Sequence, residues 1–102
     1  FETSTPESCG IVKLDEENRV IEFHEKVKNP PSKLANGAVY ILSSELIQLF
    51  KSDFKHCADF STEVIPRLMG KIYAYKTNAA FMDIGTPETY AEANRIFKDQ
   101  NI

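Results

Sequence analysis

Two carboxylates in this chain stand where a carboxylate needs a reason. Asp83 interrupts the apolar run Phe81-Met82-Asp83-Ile84, the pattern of a buried strand. An ionised oxygen there loses hydration unless something replaces it. Glu25 follows Ile21 and Phe23 at the two-residue period of a strand, so it shares a face with two apolar side chains. A carboxylate so placed suits a metal ion or a substrate hydroxyl. The residues alone leave simpler uses open. Asp83 can accept hydrogen bonds from the turn at Gly85, and Glu25 can sit at a strand end in solvent.

The usual equipment for covalent or cofactor chemistry is absent. Gly10, Gly37, Gly70 and Gly85 are too scattered for a dinucleotide fingerprint or a phosphate-cradling loop. His24 and His56 have no partners at zinc spacing and read as surface residues. No serine stands in a nucleophile elbow. Cys9 and Cys57 lie far apart without metal-ligand spacing, which leaves one disulfide open and excludes a disulfide framework.

The bulk properties narrow the class further. The 102 residues suffice for one small domain with one core. A net charge of −3 gives no electrostatic case for nucleic acid or an anionic membrane surface. No apolar run is long enough to cross a bilayer and no signal peptide is visible, so a cytoplasmic, reduced setting is expected. A chain that starts at Phe1 rather than methionine reads as a piece of something longer.

The elements that must position these groups follow in order. Residues 1–8 are a polar lead-in containing Pro6. Residues 11–14 and 19–26 predict a β-hairpin across the polar turn 15–18. On its second strand Ile21, Phe23 and Glu25 share one face, and Val20, Glu22, His24 and Lys26 the other, so His24 and Glu25 diverge. Asn29-Pro30-Pro31-Ser32 forces a loop over residues 27–34, of the kind that lines sites. Asn36-Gly37 is a strong turn dipeptide, and residues 38–42 predict a buried strand. Ser43-Ser44-Glu45 starts a helix with Leu46, Ile47, Leu49 and Phe50 as its apolar stripe, and residues 51–58 connect onward. Asp59 opens a helix that buries Val64, Ile65, Leu68 and Met69, is shortened or distorted by Pro66, and ends at Gly70. Strands at 71–76 and 81–84 follow. Thr86-Pro87-Glu88 then starts a helix that buries Tyr90, Ala93 and Phe97. Strands mixed with covering helices predict a layered α and β architecture.

Taken together, Ser8-Cys9-Gly10-Ile11-Val12, Phe23-His24-Glu25-Lys26, Leu34-Ala35-Asn36-Gly37-Ala38-Val39-Tyr40 and Asp83-Ile84-Gly85-Thr86-Pro87-Glu88 form an ordered series. It resembles the second half of the sugar-1-phosphate nucleotidyltransferases, closest to the branch with mannose-1-phosphate and heptose-1-phosphate guanylyltransferases. The resemblance covers nearly the whole chain. Each motif is weak alone, and the order makes the set specific. The implied fold is α/β: a partial Rossmann-like nucleotidyltransferase domain, its sugar-binding half, with a mixed sheet and covering helices. Residues 1–102 would be the sugar-phosphate-binding portion, with the glycine-rich nucleotide-binding portion outside them.

The implied reaction transfers a nucleoside monophosphate from a triphosphate, GTP by branch, to a sugar 1-phosphate. Mg2+ assists, and an NDP-sugar and pyrophosphate result. By resemblance, Gly10 brings backbone close to the sugar and Glu25 accepts hydrogen bonds from its hydroxyls. Lys26 holds the sugar phosphate and neutralises charge. Asn36 hydrogen-bonds the sugar, Gly37 permits a tight backbone turn beside it, and Asp83 is a magnesium ligand that shares the ion with an aspartate outside the chain. Val27 departs from the family, which usually has proline after Glu-Lys, and this puts the identity of the sugar in doubt. The alternatives are a non-catalytic binding or regulatory subunit of the same fold, and a small α+β interaction module. Expected partners are the sugar 1-phosphate and the triphosphate, with no nucleic acid and no membrane. Self-association is expected through the surface that the other portion would cover.

Overall fold

Gly10–Leu14 and Val20–Glu25 pair antiparallel as β1 and β2, because β-branched and apolar residues on both strands flank a turn that holds itself together. In that turn Asp15 Oδ1 accepts the backbone N–H groups of Glu17 and Arg19, each at 2.9 Å, and Oδ2 accepts Arg19 Nε at 2.8 Å. Asn18 takes the left-handed backbone that the corner needs, with φ 64°. This is a computed structural model, and it describes residues 1–98.

The predicted alternation on β2 breaks at one residue. Lys13 pairs with Glu22 but Leu14 pairs with Val20, so Ile21 is the extra residue of a β-bulge. A bulge reverses which face each side chain takes. Val20 is therefore buried and Ile21 exposed, the opposite of the expected pattern, while Phe23 and Glu25 are half-buried.

Single bridges extend the hairpin on both edges. Ile11 bridges Ala35, which places residues 34–36 beside β1, and Leu34 in turn bridges Glu2. On the other edge Arg19 bridges Tyr73. The sheet proper stays two-stranded. The expected mixed sheet is corrected here, since residues 38–42, 71–76 and 81–84 form no strand. A strand exists through its partner, and among the described residues no backbone donor from Val39 to Leu42 finds one. Val39 is 84% exposed and Ile41 fully so. The coarser α/β expectation stands, and the Rossmann-like layering does not appear within the described residues.

The helical side follows its local signals. Ser43 Oγ accepts the Leu46 N–H at 3.2 Å and starts α1, Ser44–Leu49. Asp59 Oδ1 accepts the Thr62 N–H at 2.9 Å and opens a wide turn over Phe60–Val64, and Pro66 then tightens the chain into a 3-10 turn over Ile65–Leu68. The core cluster is Phe54, Val64 and Leu68, with Leu46, Leu49, Phe50, Cys57, Phe60 and Ile72 packed against it. Phe54 lies in the connection that reads as merely polar, and it anchors that connection into the core. Thr86 and Thr89 cap α2, Pro87–Phe97, reciprocally. That helix buries no residue: Tyr90 is 58% exposed, and Ala93 and Phe97 are half-buried. Its apolar side lacks a covering layer among the described residues. No helix among them is long and apolar enough to cross a membrane.

Four carboxyls are held below their ordinary range. The Arg19 backbone N–H is the main cause at Asp15, the His24 side chain followed by Lys13 at Glu22, the Thr62 backbone N–H at Asp59, and the Arg95 side chain at Glu92. A depressed folded pKa means the unfolded chain binds more protons as pH falls. The stabilisation is thus complete above the unfolded carboxylate range and is lost as pH drops through the folded values. Thermal midpoints by circular dichroism should fall below pH about 4. Asp15→Asn should flatten part of that fall, and an equal slope in that variant would count against the turn as its source.

Candidate functional site

The strand register places Gly10 directly opposite Glu25. A Cβ on Gly10 would lie 2.9 Å from Glu25 Oε2 and 2.8 Å from Phe23 Cζ. Glycine is needed here for close approach, since only a bare backbone leaves the carboxylate its place. Among the described residues no hydrogen bond reaches the Glu25 carboxylate, so its oxygens are available to a ligand. The next residue, Lys26, donates its N–H to Cys9 O at 3.0 Å and takes left-handed backbone with φ 52°. A non-glycine residue in that region costs about 1–3 kcal/mol and often marks a working site. The Lys26 ammonium is exposed and forms no ion pair among the described residues. Its charge reaches Asp59, where it adds a minor share to the lowering caused mainly by Thr62.

Asn36 joins this corner through backbone, its N–H donating to Gly10 O at 2.8 Å. Its side chain is engaged locally: Oδ1 accepts the Ala38 N–H at 2.9 Å, and Nδ2 donates to the Tyr40 hydroxyl at 2.6 Å. The first of these is the turn role that Asn36-Gly37 suggests. Gly37 lies inside that turn, but it is Ala38 that takes the left-handed backbone, with φ 56°. A Cβ on Gly37 would sit 3.2 Å from Phe81 Cζ, closer than ordinary contact.

Asp83 is exposed, so the burial that seemed to demand an explanation is absent. The run around it is extended chain with no sheet partner. Its Oδ1 accepts the Gly85 N–H at 2.9 Å, the simple turn reading, while Oδ2 accepts no hydrogen bond among the described residues. No hydrogen bond or ion pair among them joins Asp83 to Glu25, Lys26 or Asn36. No group of three or more histidine, cysteine, aspartate or glutamate side chains among them could hold a metal ion. Magnesium often takes only one or two carboxylates, with phosphate oxygens and waters completing its shell. Asp83 fits that chemistry as a single ligand with one unengaged oxygen.

Gly10, Glu25, Lys26, Asn36 and Gly37 are thus brought to one end of the hairpin, and Asp83 is connected to it through Phe81. Three participants were not singled out from the sequence. Tyr40 holds the Asn36 amide, Phe81 covers Gly37, and Asp59 faces the Lys26 charge. Tyr40 lies four residues beyond Asn36 and Phe81 two before Asp83, so proximity in sequence was the available signal. Asp59 was legible only as a cap.

Comparison with known proteins places this geometry in context. A family model described as nucleotidyl transferase matches residues 1–100. The glucose-1-phosphate adenylyltransferase of Fervidobacterium nodosum is 38% identical over 91 residues, which cover 83% of this chain and 22% of that protein. The corresponding enzyme of Clostridium acetobutylicum is 34% identical over 99 residues, 90% of this chain and 26% of that protein. The bifunctional protein GlmU of Methanocaldococcus jannaschii is 33% identical over 103 residues, 97% of this chain and 25% of that protein. The chain spans about a quarter of the length of these curated relatives. No solved structure matches it. With a family model covering almost all of its length, the chain belongs to the nucleotidyl transferase family.

Proposed function

We propose that these residues form the sugar-phosphate-binding portion of an enzyme that transfers a nucleoside monophosphate from a triphosphate to a sugar 1-phosphate. The observation that carries this reading is the corner at the hairpin end. Gly10 makes room for the Glu25 carboxylate, Lys26 follows it, neither side chain has a polar partner among the described residues, and Asn36 is tied to Gly10 O. Glu25 accepts hydrogen bonds from sugar hydroxyls, which need an acceptor with free lone pairs. Lys26 supplies the positive charge for the phosphate. Asn36 keeps the corner closed and offers its amide to the sugar. Asp83 contributes one carboxylate to Mg2+, which when bound neutralises charge on phosphoryl oxygens. The triphosphate would be held by a portion outside these residues, which contain no glycine-rich phosphate loop.

Calorimetric titration of the 102-residue chain with glucose 1-phosphate and with mannose 1-phosphate tests the reading. The chain should bind at least one of them, and Lys26→Ala should weaken that affinity by about 10- to 100-fold, the worth of a charge-assisted hydrogen bond. Absence of binding to both sugars by the unaltered chain would overturn the reading. The guanine preference rests on branch resemblance, whereas the relatives named above include adenylyltransferases. Turnover of GTP and ATP measured side by side, in a protein carrying this chain and a nucleotide-binding portion, decides between the two bases.

The exposed apolar stretch at residues 39–42 carries the remaining part of the proposal. It is uncharged, and its backbone donors have no partner among the described residues, which favours edge-to-edge pairing between copies. Sedimentation should show self-association that grows with concentration. A monomer throughout would remove that stretch as a contact between copies.

A further inference from the structure

Residues 75–85 carry Asp83, yet among the described residues no backbone hydrogen bond ties them to the rest of the chain. The last such bond before them is from Ala74 N–H to Asn18 O, and the next after them lies inside α2. Residues 77–80 stand off from Phe1 and Glu2 across an open cleft of about 370 Å³. Contact between this segment and the sugar corner is therefore left to side chains. Phe81 makes such a contact. The tip of its ring meets Gly37, with Cζ and Cε2 at 3.2 and 3.3 Å from where a Cβ would stand. The same ring packs on Phe1, with ring centroids 4.5 Å apart and planes tilted by 37°.

Phe1 is itself locked to the same corner. Its N-terminal ammonium donates to Ala35 O at 3.1 Å, and Ala35 N–H donates to Phe1 O at 2.7 Å. Ala35 immediately precedes Asn36, whose own N–H is held by Gly10 O. The Phe81 ring thus touches both Phe1 and the Gly37 position, two residues from Asp83 and one from Asn36 by way of Gly37. We infer that Phe81 is a positioning residue, in contact with Phe1 and Gly37, that fixes the distance between the Asp83 turn and the Asn36-Gly37 corner. The inference rests on the proposed sugar-phosphate reading for its purpose, and on the ring contacts alone for its geometry. It also gives Gly37 a reason that backbone conformation does not. A Cβ at that position would stand 3.2 Å from the ring tip, so the ring would have to give way by a few tenths of an ångström.

The test uses the 102-residue chain with ¹⁵N amide spectra, then titration with glucose 1-phosphate. In Phe81→Leu, the Gly37 and Gly85 amide resonances should both move, while the β1 and β2 amides remote from Gly10 keep their positions. Gly37→Ala is the second variant, because its new methyl would stand 3.2 Å from the ring tip and should shift the Gly85 resonance from a distance. Added to Phe81→Leu, which lacks that tip, Gly37→Ala should move Gly85 no further. Glucose 1-phosphate affinity should fall on the order of tenfold in Phe81→Leu, the scale of a small misplacement. Gly85 unmoved in both Phe81→Leu and Gly37→Ala overturns the inference, as does an additive shift in the double variant. If the unaltered chain binds no sugar phosphate, the functional reading fails, and the ligand-free spectra alone decide whether Phe81 positions the turn.

Discussion

Asp83→Asn is expected to lower kcat on the order of a hundredfold or more, in a protein that joins this chain to a nucleotide-binding portion, because one charged metal ligand is lost. The thermal midpoint should not move. Asparagine keeps an Oδ1 that can accept the Gly85 N–H, so the turn before α2 survives while the carboxylate charge does not. Asp83→Ala removes both and serves as the contrast, with a lowered midpoint as well as lowered turnover. The same assay on the 102-residue chain by itself should release no pyrophosphate, since it offers Asp83 without a phosphate-cradling loop. Unchanged turnover in Asp83→Asn would remove Asp83 from the metal site. Its turn role would then be its whole role.

The largest expected effect on stability belongs to Ile11→Ala. Ile11 is 0% exposed and sits at the centre of the hairpin's packing, paired with His24 on one side and bridged to Ala35 on the other. Truncation should cost about 2–5 kcal/mol, a lost transfer term plus a cavity that the ladders around it cannot close. Domains of this size are stable by only about 5–15 kcal/mol, so the loss should be plain in urea unfolding. Because Ile11 adjoins Gly10, the variant should also weaken sugar-phosphate binding. Val64→Ala, in the separate Phe54-Val64-Leu68 cluster, should destabilise the chain with less effect on that binding. A shift below about 1 kcal/mol for Ile11→Ala would mean the site has room to collapse and the hairpin is not the anchor of the corner.

Much of what surrounds the site was legible residue by residue. The hairpin was, and so were the caps at Ser43, Asp59 and Thr86, the distortion at Pro66 and the stop at Gly70 with its φ of 79°. Of the site itself, the adjacency of Gly10 and Glu25 was not legible: the turn pairs Leu14 with Val20, a register that continued unbroken would set Gly10 opposite His24, and the extra residue at Ile21 moves it to Glu25. Other parts were not legible. The Ile21 bulge inverted the predicted faces of β2, and nothing in a two-residue alternation announces where an extra residue is inserted. Gly37 sits in the turn as read, but the left-handed residue there is Ala38, and nothing local shows that a Cβ on Gly37 would crowd a ring far away in sequence.

The division has one physical cause. Caps, turns and proline effects are settled by hydrogen bonds and steric contacts within about four residues, so sequence by itself determined them here, down to the Asp83-to-Gly85 turn bond. Strands, burial and the meeting of distant groups depend on partners that local sequence does not name. Residues 38–42 and 81–84 have strand-forming sequences and stay unpaired, because pairing needs a neighbour and none is present among the described residues. Tertiary structure alone decided that Lys26 forms no ion pair among the described residues, that Asn36 reaches Gly10, and that the Phe81 ring meets Phe1 and Gly37.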